Sequence, residues 1–418
     1  MFSRRDVLRI GGLGLAGASL AREARAAGDP GRKFLFVFCY GGWDTTYVFS
    51  PMFGNPSIDV DPEATLAEVG GISFADAASR PSVRGFFERW AERACVINGI
   101  QVHSIAHSVC LRDIMTGALE GADDWAAILA ASGGSDLLLP MIHLSGPSYT
   151  EAFGGDVVRV GQAGQLSALV DGSALSAGDT PRPLPSPHAE ALEDAWALAR
   201  ANDGVRRASR GRASALAAQA VAAEERLAGL AEVGADVAMA TGVTLVERAS
   251  IVSELFERGL SRCGMVQYDG RQGIGWDTHG GNASQSDHFE ELFASLSTIL
   301  QDLSSRAGTD GGASLADETT VVVLSEMNRF PKLNSRDGKD HWAYTSAMLV
   351  GAGVRGGQVV GGYDDRFAGR PIDLGSGEAH EGGTALGPGH LGATLLALGG
   401  VDPAEYIGDA EAIQAVIG

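Results

Sequence analysis

Cysteine is scarce in this chain of 418 residues. The four present (Cys39, Cys95, Cys110, Cys263) show no C-x-x-C spacing, so neither a zinc ribbon nor a dithiol redox motif is encoded. Cys39 lies in an apolar run and reads as a buried thiol. A Cys95–Cys110 bridge stays open only in an oxidising compartment, and nothing in the spacing calls for it. Positive charge is also short: 32 Lys and Arg stand against 52 Asp and Glu, a net charge of −20. That balance argues against nucleic acid and anionic membrane surfaces as partners. Long hydrophobic runs are missing too. Ile10–Leu20 is weakly apolar and too short to span a bilayer, and no second candidate span follows.

The N-terminus carries Ser3-Arg4-Arg5-Asp6-Val7-Leu8-Arg9, the twin arginines of a Tat-type export signal, then that short apolar segment and Ala24-Arg25-Ala26. Residues 1–26 are read as a signal peptide engaged by the Tat translocase. Residues 27–418 are read as a single domain, delivered to the periplasm or outside the cell with no stable membrane span. Small anionic substrates of so acidic a protein need a local cation.

Two runs, Lys33–Tyr40 (KFLFVFCY) and Thr319–Leu324 (TTVVVL), are apolar without alternation, as strands buried on both faces of a parallel sheet are. Further strands are expected at 95–97, 137–144, 265–268, 346–350 and 358–360. Helices are expected at 81–94, from the loop 101–108 through Thr116, and at 244–263, 287–304 and 391–398. Strand and helix alternate, which calls for an α/β fold with a mostly parallel sheet sandwiched between helices. The segment 188–235 is Ala-rich with interspersed Arg and Glu, and reads as a helical hairpin inserted into the domain, with a break at Asp203-Gly204.

Candidate chemistry gathers at strand ends, where open α/β sheets place ligands. Asp44 follows the first strand in Gly41-Gly42-Trp43-Asp44. Asp277 and His279 follow Met265–Tyr268. Glu326 ends the strand Thr319–Leu324, and the next loop delivers Asp340-His341. An adjacent Asp-His pair on a loop converges only by pointing at one object, and a divalent ion accepts oxygen and nitrogen ligands together. The donors outnumber what one four-coordinate ion needs, so two ions acting as a clamp at phosphorus or sulfur are expected. His107 is weighed equally as a helix cap and a site residue. His143, His188 and His288 read as structural or surface residues. Trp43, Trp276 and Trp342 each neighbour a candidate ligand, as cleft wall or as packing.

Taken together, the export signal, GGWD, GWDTHGGN, SEMNRF, GKDHW and GAGVRGGQVVGGYD resemble an exported bacterial family known as domain of unknown function 1501, over nearly all of the mature chain. That family is grouped with the alkaline phosphatase superfamily, which includes sulfatases. The resemblance implies an alkaline-phosphatase-like fold with a bimetal centre of zinc, manganese or calcium. It implies that Asp44 and Asp340-His341 hold one ion, and that Asp277, His279 and a late ligand, His380 or His390, hold the other. It places the nucleophile in the region of Ser104, His107 and Ser108; Thr45 and Thr46 beside Asp44 are a weaker alternative, and a metal-bound water is another. The Asp-x-His spacing is shorter than the superfamily's pattern, and Cys110 lacks the C-x-P-x-R context of formylglycine sulfatases. The implied activity is hydrolysis of a phosphate or sulfate ester, on a small anionic ester or a sulfated or phosphorylated glycan. The rival is a non-catalytic envelope protein keeping the fold, with or without a structural metal.

Overall fold

A computed structural model describes residues 28–133, 137–160, 186–208, 212–233 and 244–418. The export signal lies outside the described residues. Strand β1 (Lys33–Cys39) is buried at every position. Its side chains alternate between two apolar layers: Leu35, Val37 and Cys39 enter one, and Phe34, Phe36 and Phe38 the other. Residues of a strand point to opposite faces in turn. A strand covered on both faces therefore has no polar positions.

The strands that follow are β2 (Thr65–Val69), β3 (Ile72–Asp76), β4 (Ala94–Gln101), β5 (Met141–His143), β6 (Val157–Arg159) and β7 (Cys263–Tyr268). After them come β8 (Thr319–Leu324), β9 (Asn328–Arg329), β10 (His341–Trp342), β11 (Tyr344–Gly351) and β12 (Gln358–Gly361). Eight of them form one sheet in the order β12-β4-β11-β8-β1-β7-β5-β6. Only β11 runs against the rest, pairing antiparallel with β4 and β8. Because β11 is reversed, its beginning lies at the edge where its neighbours end. The β9–β10 ribbon just before it is thereby delivered to the carboxyl edge of β1, β7 and β8.

The helices are α1 (Pro81–Trp90), α2 (His107–Thr116), α3 (Trp125–Gly133), α4 (Pro187–Arg207), α5 (Arg212–Val233), α6 (Leu245–Glu257), α7 (Ser284–Ser305) and α8 (Pro388–Leu398). Apolar faces of α1, α6 and α7 cover one side of the sheet, and those of α2, α3 and α8 the other. The α/β class and the largely parallel sheet between helices are as the sequence predicts.

Several boundaries differ, each for a local reason. The helix expected to reach Cys263 stops at Glu257, because Gly259 turns the chain at φ +66° and the segment must enter β7. The strand expected over 137–144 shrinks to Met141–His143, preceded by Pro140, which has no N–H for a ladder. Asp203-Gly204 does not break the hairpin; α4 runs through it to Arg207. All four cysteines are free and buried, so no Cys95–Cys110 bridge forms. Helices α4 and α5 pack on each other. The Arg226 guanidinium fastens α5 to Asp156 at 3.2 Å and donates to the Gly155 carbonyl at 2.6 Å.

Candidate metal centre

The carboxyl edge of the sheet gathers three imidazoles around one carboxylate. His107 starts α2 after β4, Asp277 and His279 lie in the loop after β7, and His341 opens β10. Ligand atoms of His107, Asp277 and His341 lie within 4.8 Å of one another. His279 joins them, with its Nε2 2.9 Å from His341 Nε2 and 3.2 Å from an Asp277 oxygen. His107 Nε2 is 3.5 Å from the other Asp277 oxygen.

Each ring is turned so that Nε2 faces inward, because its Nδ1 is engaged outside the cluster. Nδ1 of His107 lies 2.7 Å from Glu326 Oε1, that of His279 lies 3.0 Å from Asp340 Oδ1, and that of His341 lies 2.6 Å from the Ile105 carbonyl. An acceptor at Nδ1 places the neutral ring's proton there and leaves the Nε2 lone pair free. That is how metal-binding histidines are oriented. Two lone pairs at 2.9 Å repel unless a proton or a cation lies between them. His107 Nε2 is moreover buried without a hydrogen-bond partner. Orphaned buried nitrogen, convergent lone pairs and a carboxylate fit a divalent ion, and three imidazoles with one oxygen donor suit zinc or a similar metal.

The electrostatics support an ionised carboxylate at the centre of the cluster. Burial works against the Asp277 charge, but the Arg329 guanidinium 2.8 Å away outweighs it and holds the carboxyl below the usual range. Donation to the Glu326 carboxylate raises His107 above its ordinary value, whereas burial lowers His341. Arg329 is itself fully buried and also donates to the carbonyls of Gly41, Gly42 and Lys339. Close backbone approach completes the frame. A side chain at Gly41, where φ is +119°, would meet Asp277 N at 2.8 Å, and one at Gly338 would meet the His279 backbone at 2.1 Å.

The remaining sequence candidates fall around this cluster or away from it. Glu326 is fully buried, accepts from Gly41 N–H and from the Ser325 hydroxyl, and orients His107. Asp340 and His341, adjacent in sequence, do not share one target: Asp340 reaches the outer nitrogen of His279 instead. Asp44 sits at the same edge with its carboxylate paired to Lys339 Nζ at 2.7 Å. Thr45 is buried, and its hydroxyl receives Asn328 Nδ2 at 2.8 Å and the Ser50 hydroxyl at 3.2 Å. The Ser104 hydroxyl accepts from Ala106 N–H, and Ser108 is exposed on the first turn of α2.

His390 accepts from Gly387 N–H at the start of α8, and His380 lies in a turn bonded to Pro371. The structure brings neither of these late candidates to the cluster. Trp43 and Trp276 are fully buried and pack on Phe289, so they are packing and not a cleft wall. Sequence reasoning placed His107 with the serines and passed over Arg329 and Lys339. Both cations stand inside the quoted blocks SEMNRF and GKDHW, where a positive residue amid acids and imidazoles was the available signal.

A cavity of about 460 Å³ lies beside α2, lined by Arg112, Glu120, Ser148, Tyr149, Thr150 and Glu151. The Arg112 guanidinium lies 4.4 Å from the centre of the Tyr149 ring. Burial raises the Tyr149 phenol, against the lowering effect of the Arg112 charge.

One protein family, described as "Protein of unknown function (DUF1501)", matches residues 154–412, more than half of the chain. The chain belongs to that family. The DUF1501 match includes Asp277, His279, Glu326, Asp340 and His341. No curated protein matches the sequence. Solved structures similar to this DUF1501 chain include that of Ps i-CgsB, at 9% identity and a TM-score of 0.37, over 91% of this chain and 75% of that one. A protein in the alkaline phosphatase superfamily from Vibrio parahaemolyticus is 11% identical, with a TM-score of 0.36 over 90% and 68%. A putative sulfatase from Bacteroides thetaiotaomicron is 10% identical, with a TM-score of 0.35 over 92% and 74%. At such identities the chemistry rests on this chain's own residues.

Proposed function

We propose that this DUF1501 protein is an exported, metal-dependent hydrolase of phosphate or sulfate esters. The observation that carries the reading is the convergence of His107, His279 and His341 Nε2 on the Asp277 carboxylate, each ring aimed by a separate acceptor. A divalent ion held by these four side chains would supply Lewis-acid polarisation of an ester oxygen. Glu326, Asp340 and the Ile105 carbonyl fix the tautomers, and Arg329 keeps Asp277 ionised. Water attacks phosphorus or sulfur, the ester P–O or S–O bond breaks, and the alcohol leaves with a proton. Water is preferred over the Thr45 hydroxyl, which is buried and engaged by Asn328 and Ser50; the Ser104 and Ser108 hydroxyls are tested by substitution. The alcohol portion, a polyhydroxylated sugar, suits the cavity of hydroxyls, carboxylates and Arg112 beside α2.

The test is turnover of aryl phosphates and aryl sulfates by purified protein reconstituted with zinc or manganese. Hydrolysis is expected, falling by roughly two or more orders of magnitude in His341→Ala. Ser104→Ala and Ser108→Ala should both retain it. Metal-loaded protein that hydrolyses neither ester class would favour the rival, a non-catalytic protein keeping a structural metal.

A further inference from the structure

Asp44 lies at the end of β1, where a second ion was expected, and its carboxylate is fully committed to protein groups. Oδ1 accepts from the Thr46 N–H at 3.1 Å and the Thr46 hydroxyl at 2.6 Å, and Oδ2 accepts from Asn282 Nδ2 at 2.8 Å. Lys339 Nζ stands 2.7 Å from Oδ2 and donates also to the Asp59 carbonyl at 2.7 Å. Both side chains are almost wholly inaccessible, at 1% exposure for Lys339 and 0% for Asp44. An ammonium and a divalent ion on the same buried carboxylate would repel strongly, since little solvent screens them. The lysine also belongs to the loop that delivers Asp340 and His341, and its own N–H is held by the Thr278 carbonyl at 3.0 Å.

We propose that Lys339 is a resident cation filling the place of a second ion. The centre is therefore mononuclear, and Asp44 is the partner of a lysine and not a metal ligand. The ion count rests on the metal reading above; the Asp44–Lys339 pairing does not. The two-ion clamp expected from the sequence is incompatible with this arrangement, because one of its anchoring carboxylates is already neutralised from within the chain.

Two measurements test it. Zinc per chain, determined after reconstitution and dialysis, should be one in the wild type and one in the Asp44→Asn/Lys339→Met double variant. A thermal-unfolding cycle on metal-free protein should show each single substitution lowering Tm by several degrees, because each strands one buried charge. The double variant, neutral and similar in shape, should recover most of that loss and so serves as the folding control. Two zinc ions per chain that fall to one in Asp44→Asn, or Tm losses that simply add, would overturn the proposal. Wild-type protein that takes up no zinc would count against the metal reading, and the Tm cycle would still decide the pairing.

Discussion

Arg329 holds the centre together from below. Its guanidinium binds Asp277 and the carbonyls of Gly41, Gly42 and Lys339, joining the ends of β1, β7 and β8 to the β9–β10 loop. Arg329→Met should remove the compensating charge of Asp277 and strand buried carbonyls, at a cost of about 3–5 kcal/mol in urea unfolding. A loss under 1 kcal/mol would show that these contacts are dispensable. Glu318, before β8, works at the opposite end of the sheet. Burial pushes its carboxyl up, but Lys33 at 2.8 Å and the N–H groups of Thr309, Asp310 and Gly312 outweigh that and hold it at about 2. Its folded pKa is thus below the ordinary 4.5. The stabilisation is present in full above about pH 4.5 and is lost as pH falls toward 2, and amounts to about 3 kcal/mol. Glu318→Gln should therefore lower stability at pH 7, with the gap to wild type narrowing below pH 4.5. A gap independent of pH would refute the linkage.

Among the elements, the central strands were legible because burial on both faces leaves a continuous apolar signature, as in Phe34–Cys39 and Thr320–Leu324. Strand direction was not. Tyr344–Gly351 is as apolar as its neighbours, and only its pairing shows it reversed. That reversal decides where His341 arrives. The β2–β3 ribbon, with an exposed strand, and the short apolar helix α3 left no periodic pattern to read. Within the site, the ligand types were visible, but the sorting into an inner cluster and an outer ring was not. Glu326 and Asp340 look like ligands in sequence, yet they hold the rings that face inward, a division set by distances of a few ångström. The α4–α5 hairpin contributes no apolar residue to either core cluster among its described residues. Replacing residues 186–243 by a short Gly-Ser linker should therefore leave metal content unchanged and Tm within a few degrees. Loss of the folded state on circular dichroism would show the hairpin to be part of the core.

For the molecule as a whole, the proposed export rests on the twin arginines within residues 1–26. Among the described residues no helix is long and apolar enough to cross a membrane. Changing Arg4 and Arg5 together to Lys should leave precursor in the cytoplasm, because the export machinery reads the guanidinium pair. Normal periplasmic accumulation would show the signal misread. The central claim is the metal centre, and X-ray absorption of the zinc-reconstituted protein tests it most directly. The account predicts a nearest shell of nitrogen and oxygen at about 2.0–2.1 Å, with outer-shell scattering from three imidazoles, reduced to two in His341→Gln. Zinc bound without imidazole, or the same imidazole count in that variant, would contradict it.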